Sequence, residues 1–203
     1  ARFCIEELHN DDPMVYSWLG YSLFHLGEYS EARHVYEDLF KKTEDPSLVL
    51  CQASCAYYMG DYDGAKQLLN TVRVDDELKD RLKLHLALQL QNEQDIQRAQ
   101  SQLSSSLYAQ LSLGAYYFLM NRYEEALEIY IRLFKRYPSY LALAVYIAMC
   151  QYRLGQFQEA NESVDLYIDN NSDSAIGIIL KSCIYLVIFE EETANLQLAQ
   201  IKL

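Results

Sequence analysis

An alanine returns along this chain at a nearly constant interval. Ala32, Ala65, Ala99, Ala126, Ala160 and Ala194 are separated by 33, 34, 27, 34 and 34 residues. Twelve residues before each stands another small residue: Gly20, Ala53, Ala87, Gly114, Ala148 and Ser182. Two small residues at a fixed offset in every unit call for two helices that cross closely, once per unit.

Further columns share the phase. Three residues before the alanine come Tyr29, Tyr62, Ile96, Tyr123 and Phe157, and four after it come Tyr36, Leu69, Leu103, Tyr130, Val164 and Leu198. Five before it, Gly27, Gly60, Asn121 and Gly155 stand where the first helix of a unit must turn into the second. Glycine and asparagine tolerate the left-handed backbone that ends a helix. Pro46 and Pro138 mark unit boundaries and Pro13 opens the first complete unit, since proline suits a first helical turn. A helix pair repeated every ~34 residues is the tetratricopeptide pattern. The expected fold is all-α: a right-handed tetratricopeptide repeat (TPR) solenoid of antiparallel helix pairs.

Half of the chain (51%) is hydrophobic, with only seven Gly and three Pro among 203 residues, a composition that supports helices and a core. The repeat predicts one elongated domain over 1–203, because each unit buries its apolar face only against its neighbours. Units are expected at about 13–45, 46–79, 80–106, 107–140 and 141–174, with a partial sixth at 175–203. Residues 1–10 read as the second helix of an earlier unit, with Phe3 and Leu8 inward. The chain begins without Met and ends inside a helical pattern, so it reads as a fragment. The third unit is short: Ala99 precedes Gly114 by 15 residues, where the other gaps are 21 or 22. Its second helix is expected to end about two turns early, at Ser104–Ser106. This either bends the superhelix or leaves a notch for a partner.

The formal net charge is −12, which argues against nucleic acid and against direct binding to anionic membranes. Part of the acidity has a local cause. Asp11, Asp12, Glu44, Asp45, Asp75, Asp76 and Asp173 stand at or before expected helix starts, where carboxylates favour the helix dipole. Lys79, Arg81 and Lys83, and then Arg132, Lys135 and Arg136, form two basic clusters, read first as solvated faces. Five cysteines at 4, 51, 55, 150 and 183 make no disulfide framework and fit a reducing compartment. Cys51 and Cys55 share a helix face, but zinc needs more ligands than these two, and they read as small core residues. His25, His34 and His85 are scattered, with no nucleophile at matching spacing, and no glycine-rich phosphate loop is present. No cofactor, no metal and no catalytic residue are expected, and so no enzyme. Asn161-Glu162-Ser163 and Asn170-Asn171-Ser172 match a glycosylation sequon, a weak signal without secretion.

The groove lined by the first helices of the units is the expected interaction surface. Its lining is read as Tyr21, Phe24, Tyr57, Tyr58, Leu84, His85, Tyr108, Phe118, Tyr146 and Tyr152. TPR co-chaperones hold an acidic peptide terminus with a Lys and Asn clamp on these helices. Here Ser17 and Tyr21 occupy the corresponding places of the first complete unit, so that clamp is absent. An aromatic groove suits an apolar or amphipathic partner segment. The cluster Arg132, Lys135, Arg136 is the second candidate surface.

Particular runs go beyond the repeat. They are Trp18-Leu19-Gly20-Tyr21 with Phe24-His25-Leu26-Gly27-Glu28-Tyr29, Arg81-Leu82 with His85-Leu86-Ala87, and Tyr140-Leu141-Ala142-Leu143 with Val145-Tyr146-Ile147-Ala148-Met149-Cys150. Asp173-Ser174 with Ile176, Leu180-Lys181 and Cys183 continues them. These runs resemble the intraflagellar transport protein 56 family over essentially the whole chain, less closely from Tyr185 to Leu203. The resemblance implies a non-enzymatic TPR subunit of the intraflagellar transport B complex, found in the cilium or flagellum and in the cytoplasm near the basal body. It implies contact with other subunits of that complex, intraflagellar transport protein 46 among them, and with axonemal motility cargo. Two alternatives stand beside it: a different TPR adaptor, such as a chaperone or ubiquitin-ligase scaffold, or the non-catalytic part of an enzyme whose active domain lies elsewhere.

Overall fold

The computed structural model describes residues 11–201, with side chains described as far as Phe189. The expected helix at 1–10, with Phe3, Cys4 and Leu8, lies outside the described residues. Eleven α-helices and no strand occur among those described: α1 (Pro13–His25), α2 (Tyr29–Thr43), α3 (Ser47–Tyr58), α4 (Tyr62–Thr71), α5 (Glu77–Gln89), α6 (Glu93–Gln102), α7 (Leu107–Leu119), α8 (Tyr123–Arg136), α9 (Ala142–Arg153), α10 (Phe157–Ile168) and α11 (Ala175–Ile201). Two compact units divide them, one through Ser104 and one from Ser105. The first holds three helical hairpins, α1/α2, α3/α4 and α5/α6. The second holds α7/α8 and α9/α10, then α11. The fold class is an all-α TPR solenoid.

Helix starts account for part of the acidity. The carboxylates of Asp12, Asp61 and Asp76 accept from Met14, Gly64 and Leu78 N–H groups at 2.9, 2.9 and 2.7 Å. Asn92 and Ser106 do the same for Asp95 and Ala109 at 3.1 and 3.2 Å. Each cap satisfies one of the N–H groups that a helix start leaves unpaired. Five hairpins turn on one residue with left-handed backbone: Gly27, Gly60, Gln91, Asn121 and Gly155, with φ of 85°, 81°, 53°, 57° and 75°. The N–H of each is held by the carbonyl three residues back.

The third hairpin corrects the sequence phase. Ala32, Ala65, Ala126 and Ala160 each occupy the fourth residue of a second helix, and the N–H of each bonds the residue just before that helix. In α6 this place belongs to Ile96, whose N–H bonds the Asn92 carbonyl at 2.9 Å. Ala99 lies three residues further on, on the same helix face, which is why it passes for the marker in sequence. The first-helix residue twelve before the true marker is Leu84, not Ala87, and Leu84 is fully buried. Leu84 therefore cannot line a groove. The structural intervals become 33, 31, 30 and 34 residues, as read from Ala32, Ala65, Ile96, Ala126 and Ala160. The shortening is shared between the second and third hairpins. α6 ends at Gln102, before the expected serines, and has the same ten residues as α4.

The sixth unit also differs. Ser182 and Ala194 were expected on two helices, but both lie on the continuous α11, 27 residues long. The turn position five residues before Ala194 is occupied by Phe189, neither Gly nor Asn, and nothing there ends the helix. Ser182 is exposed, while Ile184 is buried in a cluster with Ala148, Ala160 and Val164.

What the small residue of the first helix meets is the residue four after the marker. A Cβ built on Gly20 would lie 2.6 Å from Tyr36 Cε1, and one on Gly114 would lie 2.6 Å from Tyr130 Cε1. Both tyrosines are buried, at 6% and 4% exposure. Where the small residue is Ala53 or Ala148, the partner position holds Leu69 or Val164, in the same core clusters. Glycine thus goes with tyrosine and alanine with an aliphatic residue.

This pairing is testable by a double-mutant cycle on Gly114 and Tyr130. Gly114→Ala forces the ring aside, an overpacking cost of about 1–3 kcal/mol. The better helix propensity of alanine offsets about 1 kcal/mol of it. In the Tyr130→Leu background the clash is gone. Urea denaturation of the four proteins is expected to give a coupling of about 1 kcal/mol or more. Strict additivity would disprove the contact.

Candidate protein-binding surface

The hairpin turns organise the aromatics. Four hairpins place one ring in the last turn of the first helix and another at the first residue of the second. The centroids are 5.3 Å apart for Phe24 and Tyr29, 5.6 Å for Tyr57 and Tyr62, 5.2 Å for Phe118 and Tyr123, and 5.6 Å for Tyr152 and Phe157. A left-handed residue between the helices lets rings five positions apart meet, at separations typical of edge-to-face and tilted pairs. The third hairpin carries Leu88 and Glu93 at these places.

In the first unit these pairs join into a continuous ladder. Tyr21 lies 4.2 Å from His25, and Phe24 lies 5.6 Å from His25 and 5.2 Å from Tyr58. Tyr58 stacks on Tyr29 at 5.1 Å and meets Tyr57 edge-on at 5.4 Å. Tyr57 reaches His85 at 6.3 Å and accepts from Gln89 at 3.4 Å. Five expected groove residues, Tyr21, Phe24, Tyr57, Tyr58 and His85, are thereby brought together across α1, α3 and α5. Tyr21 and Tyr58 present most surface, at 63% and 56% exposure. Phe24, Tyr57 and His85 are half-buried. His25, Tyr29 and Tyr62 belong to the same ladder and were not among the expected lining. The column of aromatics three before the marker was the signal for the two tyrosines.

The second unit has its own set. Phe118 and Tyr146 are half-buried against the α7–α9 core, with Tyr146 5.4 Å from Tyr130. Tyr152 is half-buried beside Ile184's cluster. The Arg153 guanidinium lies 4.7 Å over the Tyr123 ring and links the two hairpin turns. Tyr108 is 54% exposed near the start of α7. The basic residues Arg132, Lys135 and Arg136 are exposed on α8. Arg132 donates to Gln110 at 3.4 Å, and Arg136 lies 5.4 Å from the Tyr137 ring.

The titratable groups of the core are held neutral. Burial pushes the thiols of Cys55 and Cys150 up to about 12 and that of Cys51 to about 11. Such thiols are poor nucleophiles and poor metal ligands. Among the described residues no group of three or more His, Cys, Asp or Glu is placed to hold a metal ion, and no helix is long and apolar enough to cross a membrane. His85 is held below its ordinary range by burial and then by the Arg81 guanidinium.

The sequence profile of the family described as "Intraflagellar transport protein 56" matches residues 16–202. The chain belongs to that family. The intraflagellar transport protein 56 homolog of Caenorhabditis elegans is 28% identical over 188 residues, covering 91% of this chain and 32% of the relative. The chain thus spans about a third of that relative's length. Among solved structures, a thermophilic TPR protein of Thermus thermophilus superposes with a TM-score of 0.73 at 16% identity, covering 86% of this chain and 99% of the other. A TPR protein of Parabacteroides merdae gives 0.67 at 19% identity, over 98% of this chain and 80% of the other. At such identities the two structures speak for the fold alone.

The His85 shift has a sign that can be checked. Its folded-state pKa lies below the ordinary 6.5. Protonation therefore favours the unfolded chain, and the stability it contributes is complete above pH 6.5 and lost as pH falls below it. Between pH 7.5 and 5 the melting temperature is expected to fall less in His85→Gln than in the wild type. An equal fall in both would show that the imidazole is not held neutral.

Proposed function

We propose that this chain is a non-catalytic protein-binding segment of an intraflagellar transport B subunit, and that the aromatic ladder of its first unit is the docking surface. The family match over residues 16–202 carries the biological setting. It supports action in the cilium or flagellum, with supply from the cytoplasm near the basal body. Other B-complex subunits are the partners, intraflagellar transport protein 46 first among them, with axonemal motility cargo carried by the assembly. The repeat columns on both sides of Ser104 support reading residues 1–203 as one TPR domain. The ladder supports the mode of contact. Aromatic rings with exposed edges supply large contact area at low entropic cost, and residues of this kind dominate interface energies. Tyr108, Phe118, Tyr146 and Tyr152 are proposed as a secondary contact set in the second unit.

The exposed rings choose the test. Phe24 packs in the α1–α3 core, so its truncation would confound binding with folding. Tyr21 and Tyr58 are exposed and can be removed together. Tyr21→Ala with Tyr58→Ala is expected to weaken capture of intraflagellar transport protein 46 by about tenfold or more, as two interface aromatics of about 1 kcal/mol each would. Wild-type binding is expected to respond weakly to salt, because apolar burial is not screened as exposed charges are. Arg132, Lys135 and Arg136, all changed to Glu, form the comparison. Loss of binding only in that variant, together with abolition by salt, would move the contact to α8.

A further inference from the structure

A second pair of columns closes every hairpin except one. Nine residues before the marker stand Leu23, Ala56, Ala87, Tyr117 and Gln151, and three after it stand Val35, Leu68, Ala99, Ile129 and Ser163, with Ile96 as the marker of the third hairpin. Leu23 with Val35, Ala56 with Leu68 and Tyr117 with Ile129 share core clusters, while Ser163 donates to Gln151 at 2.7 Å. Only in the third hairpin are both members alanine. There a cavity of about 290 Å³ opens between α4 and α6 over α5, wholly within the first unit.

Its floor is apolar and its rim is basic. Leu69, Leu86, Ala87 and Ala99 are buried, and Leu90 is 36% exposed at the edge. The Lys66 ammonium lies 3.0 Å and the Arg98 guanidinium 3.7 Å from the same Asp95 carboxylate, and their side chains are 47% and 72% exposed. Lys83 is 3.2 Å from Asp80 and 3.4 Å from Gln102 Oε1. Three cations thus face two carboxylates. A more open cleft continues from Lys83 and Gln102, past Asp80 and Asp75, to Arg73 and to Lys79, whose ammonium donates to the Val72 and Val74 carbonyls. This is a positive rim on a chain of net charge −12.

We propose that this cavity binds a partner segment that places one leucine- or phenylalanine-sized side chain on the floor formed by Leu69, Leu86, Ala87, Leu90 and Ala99, and acidic side chains on either side of it. The volume is at the small end for ligand pockets, which start at roughly 300 Å³. It therefore suits one side chain of a larger partner. The apolar anchor takes the place that Leu68 or Ile129 fills in other hairpins. The flanking carboxylates meet Lys66, Lys83 and Arg98, which steer the approach and fix the register. This site is separate from the aromatic ladder and does not depend on the partner proposed for it.

The test uses the 203-residue chain and a displayed library of random twelve-residue peptides. Selection on the wild type, with removal of binders to Ala99→Leu, is expected to enrich sequences with Leu, Ile, Met or Phe beside two or more Asp or Glu. Ala99→Leu copies the Ala56 and Leu68 pairing and fills the cavity, so its melting temperature is expected to stay level or rise. One selected peptide, labelled with fluorescein, is then measured by anisotropy. Lys83→Glu with Arg98→Glu, both on partly exposed side chains, is expected to weaken it about tenfold or more, and Tyr21→Ala with Tyr58→Ala to leave it within twofold. If Ala99→Leu folds and a parallel selection on it yields the same peptides as an undepleted selection on the wild type, the cavity is not the site. If the anchor residue can be changed to Ser without loss, or if charge reversal changes nothing, the proposal fails, whether or not the ladder reading holds.

Discussion

Four of the five hairpins rest on one contact, between the middle of the first helix and the residue sixteen positions later on the second. Gly20 meets Tyr36 and Gly114 meets Tyr130, so closely that a Cβ would lie 2.6 Å from the ring. Ala53 with Leu69 and Ala148 with Val164 occupy the same places with more room taken on the first helix and less on the second. The two sizes are complementary, so the helix separation can stay constant while the residues vary. Protein interiors are packed tightly enough that such sums matter at the scale of a methyl group. From that fixed crossing the rest follows: the turn falls at one place, the aromatics flanking it meet, and the next first helix finds a buried stripe to pack on.

The repeat and its class were legible because they rest on columns that recur several times. The left-handed turns at Gly27, Gly60, Asn121 and Gly155 were legible for the same reason. The third hairpin was misread by three residues. Ala87 and Ala99 have the right chemistry and the right spacing, and because an α-helix puts residues three apart on neighbouring parts of one face, both are buried although they stand three residues out of phase. Only the turn discriminates, and there Gln91 adopts φ of 53° without being Gly or Asn. The same slip placed Leu84 on the groove. The final helix was misread for a different reason: Ser182 and Ala194 kept the spacing of a pair, while nothing between them could break a helix.

The candidate surface was half legible. Five of its residues came from the repeat phase, yet which of them expose their rings is a matter of tertiary packing. All four belong to the ladder, but Phe24 and Tyr57 are half-buried in it, whereas Tyr21 and Tyr58 keep most of their surface exposed. His25 has no repeat column that would place it in the ladder. The acidity has two sources that sequence alone does not separate. Asp12, Asp61 and Asp76 are caps whose charge serves their own helices. Asp95, in contrast, is shared by Lys66 and Arg98 and belongs to the rim of a cavity.

The third hairpin shows how a repeat can open a site without losing its core. At the two marker columns twelve residues apart, where its neighbours keep Gly or Ala and then Ala, it carries Leu84 and Ile96, both buried. At the second pair, where neighbours hold Leu23 and Val35 or Tyr117 and Ile129, it carries two alanines. The larger side chains stand at one pair of columns instead of the other. Cores tolerate exchanges of that kind far better than net loss or gain. A plain deletion at Ala87 and Ala99 would have left a destabilised hairpin, and filling at the crossing alone would have strained it. Made together, the two changes leave a folded hairpin with a cavity on one side, bounded by α4, α5 and α6, and the lysines and arginine that surround it stand on helices whose packing is settled elsewhere.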